Sequence, residues 1–514
     1  MKSNPLASLT AAVLLTALAL PIRPLAEARQ QSDEKEHIRY KLIDLGTLGG
    51  PQSFGDLGHG AGNINNRATA VGVADTSIAD PNFPNFNPIS FFPDPFIHHA
   101  FKTRDGTLVD LGALPGGNSS SVNFISENGL IAGQSLNGAI DPFTGWPAQN
   151  AVFWKDGEII NLGTLGGFES AAIGVNSRSQ VVGFSGNAVG DPLSFPFGFG
   201  TETRAFLWDA KDGMQDLGTL GGPDGFAQFI NERGQVAGFS YTSFSPNTSG
   251  IPTVDPFLWR HGKMIDLGTL GGTFGTPNGL NNRGQVVGLS GLAGDQTSHP
   301  FLWPAEDGQM RDLGTLGGSF GQAESINDAG EVVGTTLTNG DLALHAFSWK
   351  QGVMTDLGTA GGFDCSDAHA INSKGQIVGD SFACAVIPPP PTSDHAFLWQ
   401  DGHMIDLNVF VPPGSNLSLP DVDTINDRGE MFGSAALPNG DMHAFLLIPC
   451  KADEDGCVDS AEALAAVAPK TSAAINPGPT TSADARRMLR EKVAGWRAQM
   501  VRLRRISALP ASEN

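Results

Sequence analysis

One seven-residue motif, repeated through the chain, limits the fold more than any other feature. It reads DLGTLGG from Asp44, DLGALPGG from Asp110, NLGTLGG from Asn161, and DLGTLGG again from Asp216, Asp266 and Asp312. It becomes DLGTAGG from Asp356 and decays to DLN at Asp406. The intervals are 66, 51, 55, 50, 46, 44 and 50 residues, the length of a propeller blade or a large solenoid repeat. Two further motifs follow each copy in fixed order. One is INxxGxVVGxS, as in Ile230-Asn231 to Ser240; the other is HAFLWxxGxM, as in His395-Ala396-Phe397 to Met404. Six of the eight tryptophans share one repeat position: Trp154, Trp208, Trp259, Trp303, Trp349 and Trp399.

Each repeat reads as two hairpins. In Asn327-Asp328-Ala329-Gly330 an Asn comes first and a Gly fourth, which suits a type I turn followed by a left-handed glycine. Trp349-Lys350-Gln351-Gly352 makes the second turn. Four short strands in about 50 residues is the arithmetic of a propeller blade. We label them a (xxxIN), b (GxVVGxS), c (HAFLW) and d (xMxDL), inner to outer. A lone d strand, Tyr40 to Leu45, precedes the first repeat, and a c strand, His443 to Ile448, ends the last without its d partner. Complementary half-repeats at the two ends suit closure of a ring, whereas an open solenoid needs polar caps. The expected fold is therefore all-β: an eight-bladed propeller over residues 40–449, closed by strand 40–46 pairing with strand 443–448. A β-solenoid or another blade count is the alternative.

Composition agrees. The 66 glycines among 514 residues are nearly twice the usual ~7%. They serve the turns and the tight d-to-a crossings, where a side chain would obstruct the approaching backbone. Only 16% of residues are charged and 40% are apolar, which excludes a disordered polyelectrolyte. The net charge of −22 argues against nucleic acid as a partner, since phosphate would be repelled.

The three motifs resemble the bacterial extracellular HAF repeat family, named for the His-Ala-Phe triplet. The resemblance spans about 410 of the 514 residues. It implies an exported repeat protein and carries over no catalytic residue. Several positions depart from the pattern. Asn150, Arg204 and Asp255 stand near the His position, Asn161 replaces Asp, Ser126 replaces the turn Asn, and Ala68 and Ser179 replace the turn Gly.

The ends read differently from the middle. Residues 1–28 form an expected signal peptide: Lys2, an apolar run from Leu6 to Leu20, and Ala26-Glu27-Ala28 as the cleavage signal. Residues 29–39 read as a linker. Export makes Cys365 with Cys384, and Cys450 with Cys457, two expected local disulfides, the second closing a loop over 450–457. Residues 40–450 hold 16 Lys and Arg against 41 Asp and Glu, while 486–505 hold eight basic residues and one acid. After a linker over 458–483, Leu489, Val493, Trp496, Met500 and Leu503 fall at helical spacing, so 484–509 reads as a basic amphipathic helix. It could dock on an anionic envelope surface, fold back on the acidic body, or stay free.

No catalytic, metal or cofactor motif is present; GxSxG, HExxH and a complete EF-hand loop are all missing. The recurring pairs His345 with Asp356 and His395 with Asp406 look catalytic at first sight. A catalytic pair is needed once, however, so these read as structural staples between strands c and d. Asn327 and Gly330 read as turn chemistry.

Variation concentrates in the b–c connections, so a ligand is expected on the face that carries them. The candidate binding residues are Phe83, Phe86, Phe91, Phe92, Phe143, Trp146, Phe195, Phe197, Tyr241 and Phe244. Aromatics among Asp and Asn suit an extracellular glycan or protein; packing of the loops into a lid is the structural reading. Glu169, Glu324, Asp367, Asp421 and Asp423 could face the channel, read first as an acidic solvated lining. The functional expectation is a secreted, non-enzymatic binding scaffold. Alternatives are a hydrolase or lyase acting on an extracellular polysaccharide, favoured by a lone asymmetric charged cluster, and an envelope-associated structural protein. Oligomeric state is left open.

Overall fold

A computed structural model describes residues 38–460, apart from 56–61, 91–92, 192–193, 195–199, 248–249, 307 and 385–393. The expected signal peptide, most of the linker that follows it, and the tail helix lie outside the described residues. The described chain is β-strand and turn, with one 3-10 turn at Leu407–Phe410.

Each repeat forms a sheet of order a-b-c-d. In repeat 7 these strands are Cys365–Ile371, Ile377–Phe382, His395–Gln400 and His403–Asp406. Repeats 1, 2, 3 and 7 stand as separate four-stranded sheets, while single parallel bridges join repeats 4, 5 and 6 into one twelve-stranded sheet. The last sheet is completed from the far end of the chain. Arg39–Asp44 pairs with Met442–Pro449, with Tyr40 opposite Pro449 and Asp44 opposite Phe445. The sequence reading missed a fifth strand: Cys457–Asp459 pairs with the outer edge of Arg39–Asp44. The Cys450–Cys457 disulfide turns the chain back for this pairing, and Arg39 meets Asp459 at 2.6 Å. Residues 458–459 are thus sheet, not linker. The Cys365–Cys384 disulfide is also formed.

The core lies between sheets. The residue at the Phe position of HAF is fully buried in every repeat: Phe101, Val152, Phe206, Phe257, Phe301, Phe347, Phe397 and Phe445. Strand-b residues stack on it from the neighbouring sheet; one cluster joins Val287, Leu302 and Leu313 to Ala323, Val332 and Phe347. Another joins Ala70 and Phe101 of repeat 1 to Phe432, Ala444 and Leu446 of repeat 8 and to Leu45, which follows the strand that completes the last sheet. The glycine of strand b makes room for this packing. A Cβ on Gly238 would collide with the Phe226 carbonyl of strand a and crowd the Phe257 ring.

The Asn of INxxG has two roles. Its Oδ1 folds its own turn: in repeat 4, Asn231 accepts from the backbone N–H groups of Arg233 and Gln235, both at 3.0 Å. Its Nδ2 crosses to the next repeat and donates to a backbone carbonyl. The sequence Asn176 to Asn231 to Asn281 to Asn327 to Asn372 to Asn426 runs at 2.9–3.1 Å per step. Asn426 then donates to the Asn65 carbonyl at 2.9 Å, and Asn65 to that of Ser126 at 3.1 Å. Ser126 cannot donate in this way; Asn128 crosses instead, to the Ser177 carbonyl at 2.9 Å.

Removing one crossing amide leaves buried backbone acceptors and donors unpaired. Asn372→Ala should therefore destabilise the protein by about 2 kcal/mol, read as a lower midpoint in urea unfolding. A change within error would show that neither half of the interaction matters.

Candidate functional site

Residues of strand a and of the a–b turns from all eight repeats wall one cavity, and the register of strand a explains which side chains reach inward. In seven inner strands the pairing with strand b slips by one residue at the same place. The extra residues are Asn123, Ile173, Gln228, Asn278, Glu324, His369 and Asp423, each three positions before the Asn (or Ser126) of the turn. A β-bulge leaves its extra residue unpaired and re-aims the side chain. Several bulge residues reach the next repeat: Asn123 donates to the Ala172 carbonyl at 2.8 Å, Asn278 to that of Ala323 at 2.9 Å, and His369 Nδ1 to that of Val422 at 3.1 Å.

This tier breaks the repeat symmetry. Repeats 6 to 8 place Glu324, His369 and Asp423 on it, with Gln322, Asp367 and Asp421 two residues earlier on the same strands. Repeats 3 and 4 carry Ile173 and Gln228 on it, and Ala171, Ile173 and Phe226 pack in the core with Phe184, Phe239 and Tyr241. The Phe226 ring stacks between Phe184 and Phe239, with centroids 4.8 and 5.2 Å away. The ionisable members of this tier are confined to repeats 6 to 8.

His369 is the hub of the charged side. Its Nε2 lies 2.9 Å from Asp380 Oδ1, and its Nδ1 lies 3.5 Å from Asp421 Oδ1. Because Nδ1 faces a carbonyl and Nε2 a carboxylate, both nitrogens meet acceptors, which favours the doubly protonated ring. Burial opposes that charge, but Asp380, Asp421 and Asp367 outweigh it and hold the imidazole well above its ordinary value. Burial, with mutual repulsion, pushes the carboxyls of Glu324, Asp367 and Asp421 upward. The Asp421 side chain keeps 43% of its exposure, so channel water tempers these shifts. Asp367 Oδ1 has no hydrogen-bond partner. Gln322 donates to Glu324 Oε1, and Asn278 to its Oε2 at 3.4 Å. His369, Asp380 and Asp421 could also hold a cation, since one ligand atom from each lies within 4.8 Å of the others. Both ring nitrogens are already engaged, however, which suits proton chemistry better.

A cavity of about 340 Å³ adjoins this tier at the end of the channel bearing the a–b turns. All eight repeats contribute to its wall, including Ile64, Phe124, Phe229, Asn278, Asp328 and Asp427.

The repeated pairs occupy the outer half of the sheets. His345 Nδ1 lies 2.9 Å from Asp356, and His395 Nδ1 lies 2.6 Å from Asp406. His99 with Asp110, His299 with Asp312, and His443 with Asp44 repeat the contact at 2.9 Å. Three repeats depart from the pair, and in one of them both partners change: Asn150 donates to Asn161 at 2.9 Å. Arg204 stands 3.9 Å from Asp216. Asp255 has its carboxyl pushed up to about 7 by burial and by the neighbouring Asp266. Asn327 and Gly330 form their turn, with the Gly330 N–H donating to the Asn327 carbonyl at 3.0 Å.

Among the described residues the loop aromatics differ in environment. Phe83, Phe143 and Phe244 are 50–64% exposed, whereas Tyr241 is 1% exposed and belongs to the core. Phe86 packs on Trp146 at 4.4 Å, and Phe143 on Phe168 at 6.2 Å. Phe91, Phe92, Phe195 and Phe197 lie outside the described residues. Of the five acids expected at the channel, Glu169 is buried, 2% exposed, and accepts from the Gln149 N–H at 3.1 Å. The bulge that selects the channel residues leaves no signal in a single repeat; only aligning the position before IN across repeats would have exposed it.

No family model and no curated protein matches the chain. Among solved structures it is similar to the β-propeller domain of the Trilobed protease from Pyrococcus furiosus, at 10% identity and TM-score 0.37, covering 71% of this chain and 96% of that one. An oligogalacturonate lyase in complex with manganese is similar at 11% identity and TM-score 0.36, covering 81% and 98%. A putative TolB from Agrobacterium tumefaciens is similar at 13% identity and TM-score 0.29, covering 49% and 85%. The likeness is one of fold, an all-β architecture of the propeller kind. The ionisable bulge residues of the inner strands are confined to repeats 6 to 8: Glu324, His369 and Asp423. The expectation of a non-enzymatic scaffold with its ligand on the b–c face is therefore overturned. An eightfold scaffold has no need of a one-sided cluster, and the described loop aromatics divide among exposed (Phe83, Phe143, Phe244), paired (Phe86 with Trp146) and buried (Tyr241) positions.

The ionisable groups dictate a pH response. Burial raises Glu169 to about 9 from 4.5, so the folded state holds a proton the unfolded chain has lost. Its contribution therefore weakens as pH rises from 4.5 to 9. The bonds to Asp356 and Asp406 raise His345 and His395; their stabilisation is complete below about 6.5 and lost as pH rises through the folded values. The bond to His345 lowers Asp356, so its stabilisation is lost as pH falls below about 3.8. The thermal midpoint should be highest near pH 5 and fall toward pH 9, with Glu169→Gln flattening the alkaline limb. An equally steep limb in that variant would refute the assignment.

Proposed function

We propose that the protein is an exported hydrolase or lyase acting on an extracellular polysaccharide, with its acid–base centre at His369. In this reading the eight repeats close into an eight-bladed propeller, and the chain is a member of the extracellular HAF repeat family. Support for closure comes from the Asn426-to-Asn65 hydrogen bond, the pairing of strands 39–44 and 442–449, and a cavity walled by all eight repeats. The two disulfides suit an exported protein.

The observation that carries the functional reading is the breaking of repeat symmetry on the bulge tier. Seven bulges present seven side chains to one tier, and proton-transfer groups appear together only in repeats 6 to 8. Cleaving a glycosidic link needs a group that still holds a proton near neutral pH and a second that can accept one. Raised carboxyls at Glu324 and Asp367 fit the donor role. Asp421, open to the channel and beside the imidazolium, fits the acceptor role. His369 offers positive charge beside Asp421 and where an oxyanion would develop. Phe124 and Phe229 in the adjoining cavity provide flat apolar walls for sugar rings.

The test is turnover of a panel of neutral and acidic extracellular polysaccharides, followed as new reducing ends and as ultraviolet-absorbing unsaturated ends. The wild-type protein should cleave at least one. Asp367→Asn and His369→Gln should each reduce kcat by at least ~10²-fold while urea unfolding shows the fold intact. Failure of the folded wild-type protein to cleave any member, or full activity in both variants, would sink the reading.

A further inference from the structure

A second group of titratable side chains lies in repeat 1, outside the channel cluster. Asp75 in strand b, Asp94 ahead of strand c, and His98 within strand c are 5%, 8% and 2% exposed. Asp75 and His98 face each other across the ladder. One ligand atom from each residue lies within 4.8 Å of the others.

His98 is the unusual member. Both of its ring nitrogens are buried without a hydrogen-bond partner. An imidazole ordinarily finds a partner for each nitrogen when buried, because leaving one unpaired costs roughly 1–3 kcal/mol. Its Nδ1 stands 3.4 Å from Asp94 Oδ2 without hydrogen-bond geometry. That spacing matches two ligands held ~2.0–2.1 Å from one tetrahedral ion, which lie about 3.4 Å apart.

The carboxylates are set for the same purpose. Asp94 Oδ1 accepts the Phe96 N–H at 2.9 Å, which leaves Oδ2 turned toward His98. A backbone hydrogen bond from Gln52 orients Asp75. Asp441 from the last b–c turn adds negative potential at Asp75. Two buried acids side by side with an unpaired imidazole want a cation.

We propose that Asp75, Asp94 and His98 form a binding site for a single divalent transition-metal ion, of which zinc fits best. One nitrogen and two carboxylate oxygens match the mixed donor set of zinc, whereas calcium and magnesium favour oxygen alone and more ligands. Asp75 ends the regular part of strand b and Asp94 and His98 begin strand c, so the ion ties together the base of the longest b–c connection. The proposal is independent of the acid–base centre at His369.

The test uses the full mature protein, stripped with chelator and then reloaded. Zinc should bind at one equivalent by elemental analysis and raise Tm by roughly 3–5 °C, with calcium and magnesium giving no comparable shift. Co²⁺ in place of zinc should give visible d–d bands, a direct readout of a nitrogen-and-oxygen site of low coordination number. His98→Gln and Asp75→Asn should each lose the bound zinc and the bands, while His369→Gln keeps both. Absence of stoichiometric zinc in the reloaded wild type would overturn the proposal. So would zinc retained in folded His98→Gln, or zinc lost only in His369→Gln.

Discussion

The structure depends on one side-chain amide used in two directions. An Asn carboxamide has an acceptor end and a donor end, and here the two ends serve different sheets. The Oδ1 of Asn231 gathers the N–H groups of its own a–b turn, while its Nδ2 reaches the carbonyl of Asn281 in the next repeat. The group that shapes a repeat therefore also joins it to its neighbour, at buried positions where an unpaired partner is costly. No other common side chain of this length offers both functions: Asp lacks the donor, and Ser is too short to cross. Where Ser126 interrupts the series, the bridging donor moves to Asn128.

Periodicity and its failure carry different information. The outer half of the sheets repeats closely, with His–Asp contacts in five repeats and a paired Asn150–Asn161 change in another. A contact made that often serves the frame. The inner tier has the same backbone in seven strands, each with a bulge, yet six different side-chain types on it, Asn alone occurring twice. The backbone there is common and the chemistry is local, so Glu324, His369 and Asp421 meet in one sector and Ile173 and Phe226 in another.

The aromatic loops show the limit of composition as a guide. Phe83, Phe86, Trp146 and Tyr241 have similar sequence surroundings, rich in Pro, Asn and Gly. In space Phe83 is exposed, Phe86 and Trp146 pack on each other, and Tyr241 is core. Whether an aromatic in a long connection faces water depends on what neighbouring loops bring to it, and local sequence does not encode that. The same applies to Asp75, Asp94 and His98. Their chain spacing matches no metal motif, and only the pairing of strands b and c brings the three together.

The sequence by itself determined the four-stranded repeat, its order of strands, the turn residues and the two disulfide partners. The repeat follows from local chemistry that recurs along the chain: Asn and Gly at most turns, β-branched runs in strand b, and a buried apolar residue, Phe in seven of eight repeats, at the third position of the His-Ala-Phe triplet. It also placed complementary half-repeats at the two ends. Tertiary structure alone decided the donor half of the Asn amide, the extra strand at Cys457–Asp459, the bulge that turns His369 inward, and the gathering of Asp367, Asp380 and Asp421 around it. Each of these depends on residues up to several hundred positions apart meeting at fixed distance. Hydrogen-bond register and burial set such distances only once the sheets have packed.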